Sequence, residues 1–148
     1  MSLKARISED VKQAMRAQDK PRLGVLRLIS AAIKQREVDE RIELDDVAVL
    51  AVLDKMAKQR RESIEQFAAA GREDLVSKER FELDILHSYL PEPLDETALS
   101  ALIDQAIAAT GAAGVQDMGK VMNELRPAVQ GRADMKAVSG AVRARLGA

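Results

Sequence analysis

Apolar residues recur along the chain at three- and four-residue intervals, the spacing that lays side chains along one face of an α-helix. Leu3, Ile7, Val11, Ala14 and Met15 share one such face. A second series follows Pro21, with Leu23, Leu26, Ile29 and Ile33. The polar stretch Asp39 to Asp46 reads as a connection ending in an aspartate N-cap, whose carboxylate accepts from the free N–H groups of the next helix. A long helix is predicted from about Val47 to Ala70, with Gly71 as its terminator and Val49, Leu53, Met56, Arg60, Ile64 and Phe67 along its stripe. A fourth runs from about Asp74 to Leu90, with Phe81, Ile85 and Tyr89 along one face. Pro91-Glu92-Pro93 stops it, because proline lacks the N–H a helix needs and restricts the residue before it.

Three shorter helices follow. Asp95 caps the first, which carries Leu99, Leu102, Ile103, Ala106 and Ile107 and ends at Thr110-Gly111. The second begins near Asp117, carries Met118, Val121, Met122 and Leu125, and is closed by Gly131. The third spans about Ala133 to Leu146, with Met135, Val138 and Val142 inward. No strand-like alternation and no internal repeat is visible. The expected fold is all-α in two parts: an N-terminal bundle of about four helices, two of them long, over residues 1–90, and a small three-helix domain over 91–148. The proline linker is expected to set the angle between the parts stiffly.

Composition supports this reading. Only Phe67, Phe81 and Tyr89 are aromatic among 148 residues, which suits helices better than a β-sandwich. Apolar residues at 47% and charged residues at 32% exclude a wholly disordered chain. There is no cysteine and a single histidine, His87, so disulfides, thiolate nucleophiles, Cys zinc sites and His-pair metal sites are excluded, and no cofactor or metal is expected. The longest run without a charge, Gln105 to Gln116, is 12 residues, too short to span a bilayer. Residues Ser2 to Arg6 are already charged and amphipathic, unlike an apolar signal region, and a cytoplasmic protein without a membrane partner is expected.

A net charge of −1 conceals segregation. Lys20 to Arg36 holds five bases (Lys20, Arg22, Arg27, Lys34, Arg36) and no acid, and Lys55, Lys58, Arg60 and Arg61 form a second acid-free run. Pro91 to Asp117 carries five acids and no base, whereas Met118 to Ala148 carries six bases and two acids. Basic helix faces can follow a phosphate backbone, each cation releasing condensed counterions. Arg27 and Lys34, seven apart, share one face; Lys120, Arg132, Lys136 and Arg143 lie in the basic C-terminal segment around Gly131. The competing reading of each cation is a solvated helix surface with intramolecular ion pairs. Arg60 interrupts an apolar stripe, and either carries its charge out to water on a packed stem or pairs with Glu79 or Glu82. His87 reads as a boundary histidine. No Gly-x-Ser-x-Gly elbow frames a serine, and Gly111-Ala112-Ala113-Gly114 lacks the Lys-Ser/Thr of a phosphate loop.

Several ordered motifs are recognisable. Lys58-Gln59-Arg60-Arg61-Glu62-Ser63-Ile64 and Ala70-Gly71-Arg72-Glu73-Asp74-Leu75 resemble the YqeY-like family. So do Glu79, Glu82-Leu83, Ile85-Leu86 and Tyr89-Leu90-Pro91, then Asp117-Met118-Gly119-Lys120-Val121-Met122 and the stretch Gly131 to Ser139. Leu26-Arg27-Leu28-Ile29 with Ala32-Ile33-Lys34 fits the family's second helix. The resemblance extends over essentially the whole chain. It implies a helical N-terminal domain followed by a three-helix domain, a module that also resembles the C-terminal tail of the B subunit of the glutamine-dependent aspartyl/glutamyl-tRNA amidotransferase. That tail helps hold tRNA while other parts of the enzyme perform the chemistry. The resemblance therefore implies a label of carbon–nitrogen ligase with glutamine as amido-N-donor, although the amidase and ATP-dependent sites lie outside the tail.

The expectation is a tRNA-binding or tRNA-enzyme accessory module without its own active site, with tRNA or an aminoacyl-tRNA-related enzyme as partner. Arg132, Lys136, Lys120 and Arg143 would contact phosphates, helped by Arg27 and Lys34. With so few aromatics, RNA would be held by shape and phosphate contact rather than base stacking. The alternative is a protein-interaction module with no RNA contact, docking through its acidic 91–117 segment and basic C-terminus; a self-sufficient amidotransferase ranks behind both.

Overall fold

The computed structural model describes residues 1–147, and every regular element among them is helical. The chain divides into two compact units, Met1–Leu90 and Pro91–Ala148.

In the first unit, helix α1 spans Leu3–Arg16, α2 Lys20–Glu40, α3 Asp46–Ala69 and α4 Glu73–His87. Polar side chains set three of the starts. Ser2 Oγ accepts from Ala5 N at 3.1 Å, an Asp19 carboxylate oxygen from Arg22 N at 3.3 Å and one of Asp45 from Ala48 N at 2.9 Å. The core gathers Ile7 and Ala14 of α1, Val25, Leu26, Ile29 and Ile33 of α2, Val49, Val52, Leu53 and Ala57 of α3, and Leu86 and Tyr89 from the end of α4.

Several expectations are corrected here. Helix α2 runs on to Glu40, so the connection shrinks to a few residues. Two i,i+4 pairs hold the added turn, Gln35 Nε2 to Asp39 Oδ1 at 2.9 Å and Arg36 Nε to Glu40 Oε2 at 2.6 Å. Arg41, in the left-handed region at φ 55°, then ends the helix. Met15 is exposed rather than inward. The buried face of α4 is Val76, Glu82 and Leu86, leaving Phe81 43% exposed, and the helix stops at His87. Gly71, at φ 71°, reverses the chain between α3 and α4, which pack along much of their length.

In the second unit, α5 spans Glu96–Thr110, a single 3-10 turn Val115–Asp117, α6 Met118–Val129 and α7 Met135–Gly147. Asp95 caps α5, accepting from Ala98 N at 2.7 Å, and Gly111 at φ 65° terminates it. Ile103 and Ala106, Val121, Leu125 and Val129, and Val138 and Val142 form a separate core. Arg145 of α7 reaches across to α5, where it meets the Asp104 carboxylate, the Ser100 hydroxyl and, at 3.1 Å, the Ser100 carbonyl.

Candidate nucleic-acid interface

The cations singled out in the sequence have different fates. Lys136 and Arg143 stand on α7 seven residues apart, both exposed, and neither is within ion-pair distance of a carboxylate among the described residues. Ala137, Gly140 and Ala144, also exposed, share this face, and nothing would meet a Cβ placed on Gly140. Small neighbours leave the two charges standing clear of the helix surface. Arg126, exposed in the last turn of α6, is a further cation of this unit that spacing did not single out, because it precedes the motif around Gly131. Lys120 is exposed, with its amine 3.9 Å from the Asp117 carboxylate one turn earlier.

Arg132 is otherwise engaged. Its Nε donates to the Glu92 carbonyl at 2.9 Å, and its own carbonyl accepts from Leu94 N at 2.8 Å. The residue clips the segment 92–94 onto the turn after α6, where Gly131 adopts φ 76°. Its side chain is half-buried.

Arg27 and Lys34 lie on α2 of the first unit, one face apart from the core, and are exposed. Arg27 Nη2 approaches Met15 Sδ at 3.7 Å. Lys34 borders an open groove with Lys4, Glu37, Val38, Arg41, Ile42 and Glu43. Most of that groove's charge is internally matched. Lys4 Nζ sits 2.7 Å from Glu37 and 3.3 Å from Glu43, and Glu37 also accepts from Leu44 N at 2.9 Å. These hydrogen bonds hold the Lys4 amine above, and the Glu37 carboxyl below, their ordinary values.

Arg60 pairs rather than emerging into water. Its Nη1 bonds Glu79 at 3.1 Å and Glu82 at 2.8 Å, joining α3 to α4, while its buried Nε has no partner. His87 is exposed, and the Ser88 hydroxyl is taken up by the Ile85 carbonyl at 2.6 Å. Tyr89 is buried, with its hydroxyl on Asp10, and Phe81 is the exposed aromatic among the first unit's described residues. Among the described residues, no group of three or more His, Asp or Glu side chains is gathered to hold a metal ion. No single helix among them is long and apolar enough to cross a membrane.

Comparison with known proteins gives the chain its kinship. It is 34% identical over 146 residues to "Altered inheritance of mitochondria protein 41, mitochondrial" of Pyrenophora tritici-repentis, a match covering 97% of this chain and 80% of that protein. The protein of the same name from Kluyveromyces lactis is 32% identical over 146 residues, covering 95% of this chain and 74% of that one. The one from Eremothecium gossypii is 39% identical over 87 residues, covering 58% and 48%. These relatives are named as mitochondrial, which overturns the cytoplasmic expectation. That expectation rested on the lack of an apolar leader, and organelle-targeting segments are amphipathic and basic rather than apolar, so apolarity was the wrong test. The profile of the Yqey-like protein family matches residues 4–146, and the chain belongs to that family.

Proposed function

We propose that the chain is a non-catalytic module that holds tRNA, on its own or for a tRNA-handling enzyme, through the basic face of its second unit. The observation that carries this reading is the pair Lys136 and Arg143. Both are exposed on one face of α7, their side chains outside ion-pair distance of a carboxylate among the described residues and separated by small residues, in a segment with six bases and two acids. A phosphate backbone can approach such a face closely, and each neutralised phosphate adds a salt-sensitive increment to affinity. Lys120 contributes a third cation, its partner Asp117 being at the limit of ion-pair distance. Arg132 acts mainly by fixing the turn, because its Nε is committed to Glu92. Arg27 and Lys34 belong to the first unit and are given a different role below.

The ligase label is not carried over. A hydrolytic or transfer centre needs a nucleophile within reach of an oriented base. His87 faces solvent, and the neighbouring Ser88 hydroxyl donates to a main-chain carbonyl. The proposal therefore places any amidation chemistry on a partner enzyme.

Replacing Lys136 and Arg143 together by alanine should weaken tRNA binding and make the logarithmic salt dependence shallower by about 1.4–1.8, the increment for two lost phosphate contacts. Helical circular dichroism should be unchanged, since both side chains are exposed. Arg132→Ala should change the salt slope less than either exposed cation does. An unaltered slope in the double variant would remove the site assignment.

A further inference from the structure

We propose that the outward face of α2 is a docking seam for an amphipathic helix of another protein whose flank is acidic. Helix α2 buries Val25, Leu26, Ile29 and Ile33 in the first unit's core, yet its opposite side is not uniformly polar. Gly24, Leu28, Ala31, Gln35 and Val38 follow one another there at alternating intervals of four and three, and all are exposed. Leu28 is 52% and Val38 60% exposed, and Ile42, just past the helix end, is 50% exposed. This is the spacing of a coiled-coil seam, in which such residues meet a second helix. Gly24 and Ala31 would let that helix come close, because nothing lies within 4 Å of a Cβ placed on Gly24.

The charges flanking the seam define the occupant. Lys20, Arg27 and Lys34 recur every seven residues along one edge, at the positions beside a seam that select partners by charge. None is within ion-pair distance of a carboxylate among the described residues, and Lys20 to Arg36 contains no acid at all. The other edge, Val25, Ala32 and Asp39, offers little. Val25 is buried, Ala32 packs on the core, and Asp39 is already bonded by Gln35 at 2.9 Å. A complementary helix therefore carries aspartate or glutamate opposite Lys20, Arg27 and Lys34.

A second copy of this chain does not meet that requirement. Antiparallel pairing of two α2 faces sets the three cations against their counterparts, and parallel pairing sets them against Val25, Ala32 and the occupied Asp39. An RNA backbone would use the cations but leave Leu28 and Val38 in water. Only an acidic-flanked amphipathic helix uses both halves of the face.

The test uses the full chain and two labelled helical peptides with identical leucine seams, one flanked by glutamates and one by lysines. Fluorescence anisotropy should show the glutamate-flanked peptide binding at least about tenfold more tightly. Arg27→Glu/Lys34→Glu should invert that preference, and Leu28→Asp/Val38→Asp should abolish binding of both while helical circular dichroism persists. If the apolar replacements perturb folding, the charge inversion still decides the matter. Equal binding of the two peptides, no binding, or a preference that survives charge inversion would overturn the proposal. So would a wild-type dimer dispersed by Leu28→Asp/Val38→Asp, or loss of tRNA rather than peptide binding in Arg27→Glu/Lys34→Glu. None of these outcomes touches the second-unit surface assigned to tRNA, whose test rests on Lys136 and Arg143.

Discussion

Tyr89 shows how one side chain can fasten three helices. It follows the end of α4, is 5% exposed, and donates its hydroxyl to the Asp10 carboxylate of α1. The Arg6 guanidinium lies 4.9 Å from the ring centre and also reaches the Ser88 carbonyl at 3.3 Å, and Arg22 of α2 stands 3.9 Å from Asp10. Burial first, and then the bond to anionic Asp10, push the phenol well above its ordinary value. Below about pH 10 neither the folded nor the unfolded phenol ionises, so the contribution is fully present. Above that value only the unfolded chain releases the proton, and stability falls as pH rises. Because the chain has one tyrosine and no tryptophan, phenolate absorbance reports Tyr89 alone. That absorbance should appear only together with loss of helical circular dichroism. Its appearance near pH 10 with helicity intact would contradict this picture. At the same scale, Arg132 marks what spacing conceals. A cation in a basic segment reads as a phosphate contact, but its partner, the Glu92 carbonyl, lies 40 residues away and is revealed only by folding.

At the scale of elements, α3 and α4 are joined by a charged cluster set into an apolar seam. The interrupted stripe at Arg60 was legible, as were the two acids within reach, because the break in pattern and their helical spacing are local properties. Which face of α4 turns inward was not. Phe81 lies one turn before Ile85, which packs on the core, yet Phe81 faces water while Glu82 beside it is buried, and the Arg60 pairing makes burial of that glutamate tolerable. Removing the cation while leaving two poorly exposed carboxylates should be costly. Arg60→Met is expected to destabilise the chain by about 2–4 kcal/mol in denaturant unfolding. In a Glu79→Gln/Glu82→Gln background the same replacement should cost less than about 1 kcal/mol, because no uncompensated charge remains. Equal costs in both backgrounds would mean that Arg60 acts through the packing of its stem alone. The extra turn of α2 was similarly hidden, since Asp39 and Glu40 look like loop residues until Gln35 and Arg36 are seen to hold them.

At the scale of the whole molecule, the all-helical character was written into composition and period, with alanine, leucine and glycine stops at Gly71 and Gly111 outweighing a scatter of local errors. Each unit has its own buried core, the first led by Leu26, Ile29, Val49 and Leu53 and the second by Ile103, Val121, Leu125 and Val142. The distribution of charge was equally legible, but not its use. A basic run is available to a ligand only where folding leaves it unpaired, as it leaves Lys136 and Arg143 among the described residues, whereas Arg145 and Lys4 are spent on internal carboxylates. Cellular location was misread, because an apolar leader was the signal sought and organelle-targeting segments are amphipathic and basic instead. The central claim is that this chain holds tRNA through cations rather than through base recognition. Fluorescence anisotropy of labelled tRNA against the pure protein, at low and near-physiological salt and beside a duplex DNA of matched length, tests it most directly. The account predicts tRNA-selective binding that weakens steeply as salt rises. Absence of binding at low salt, or equal affinity for the DNA, would contradict it.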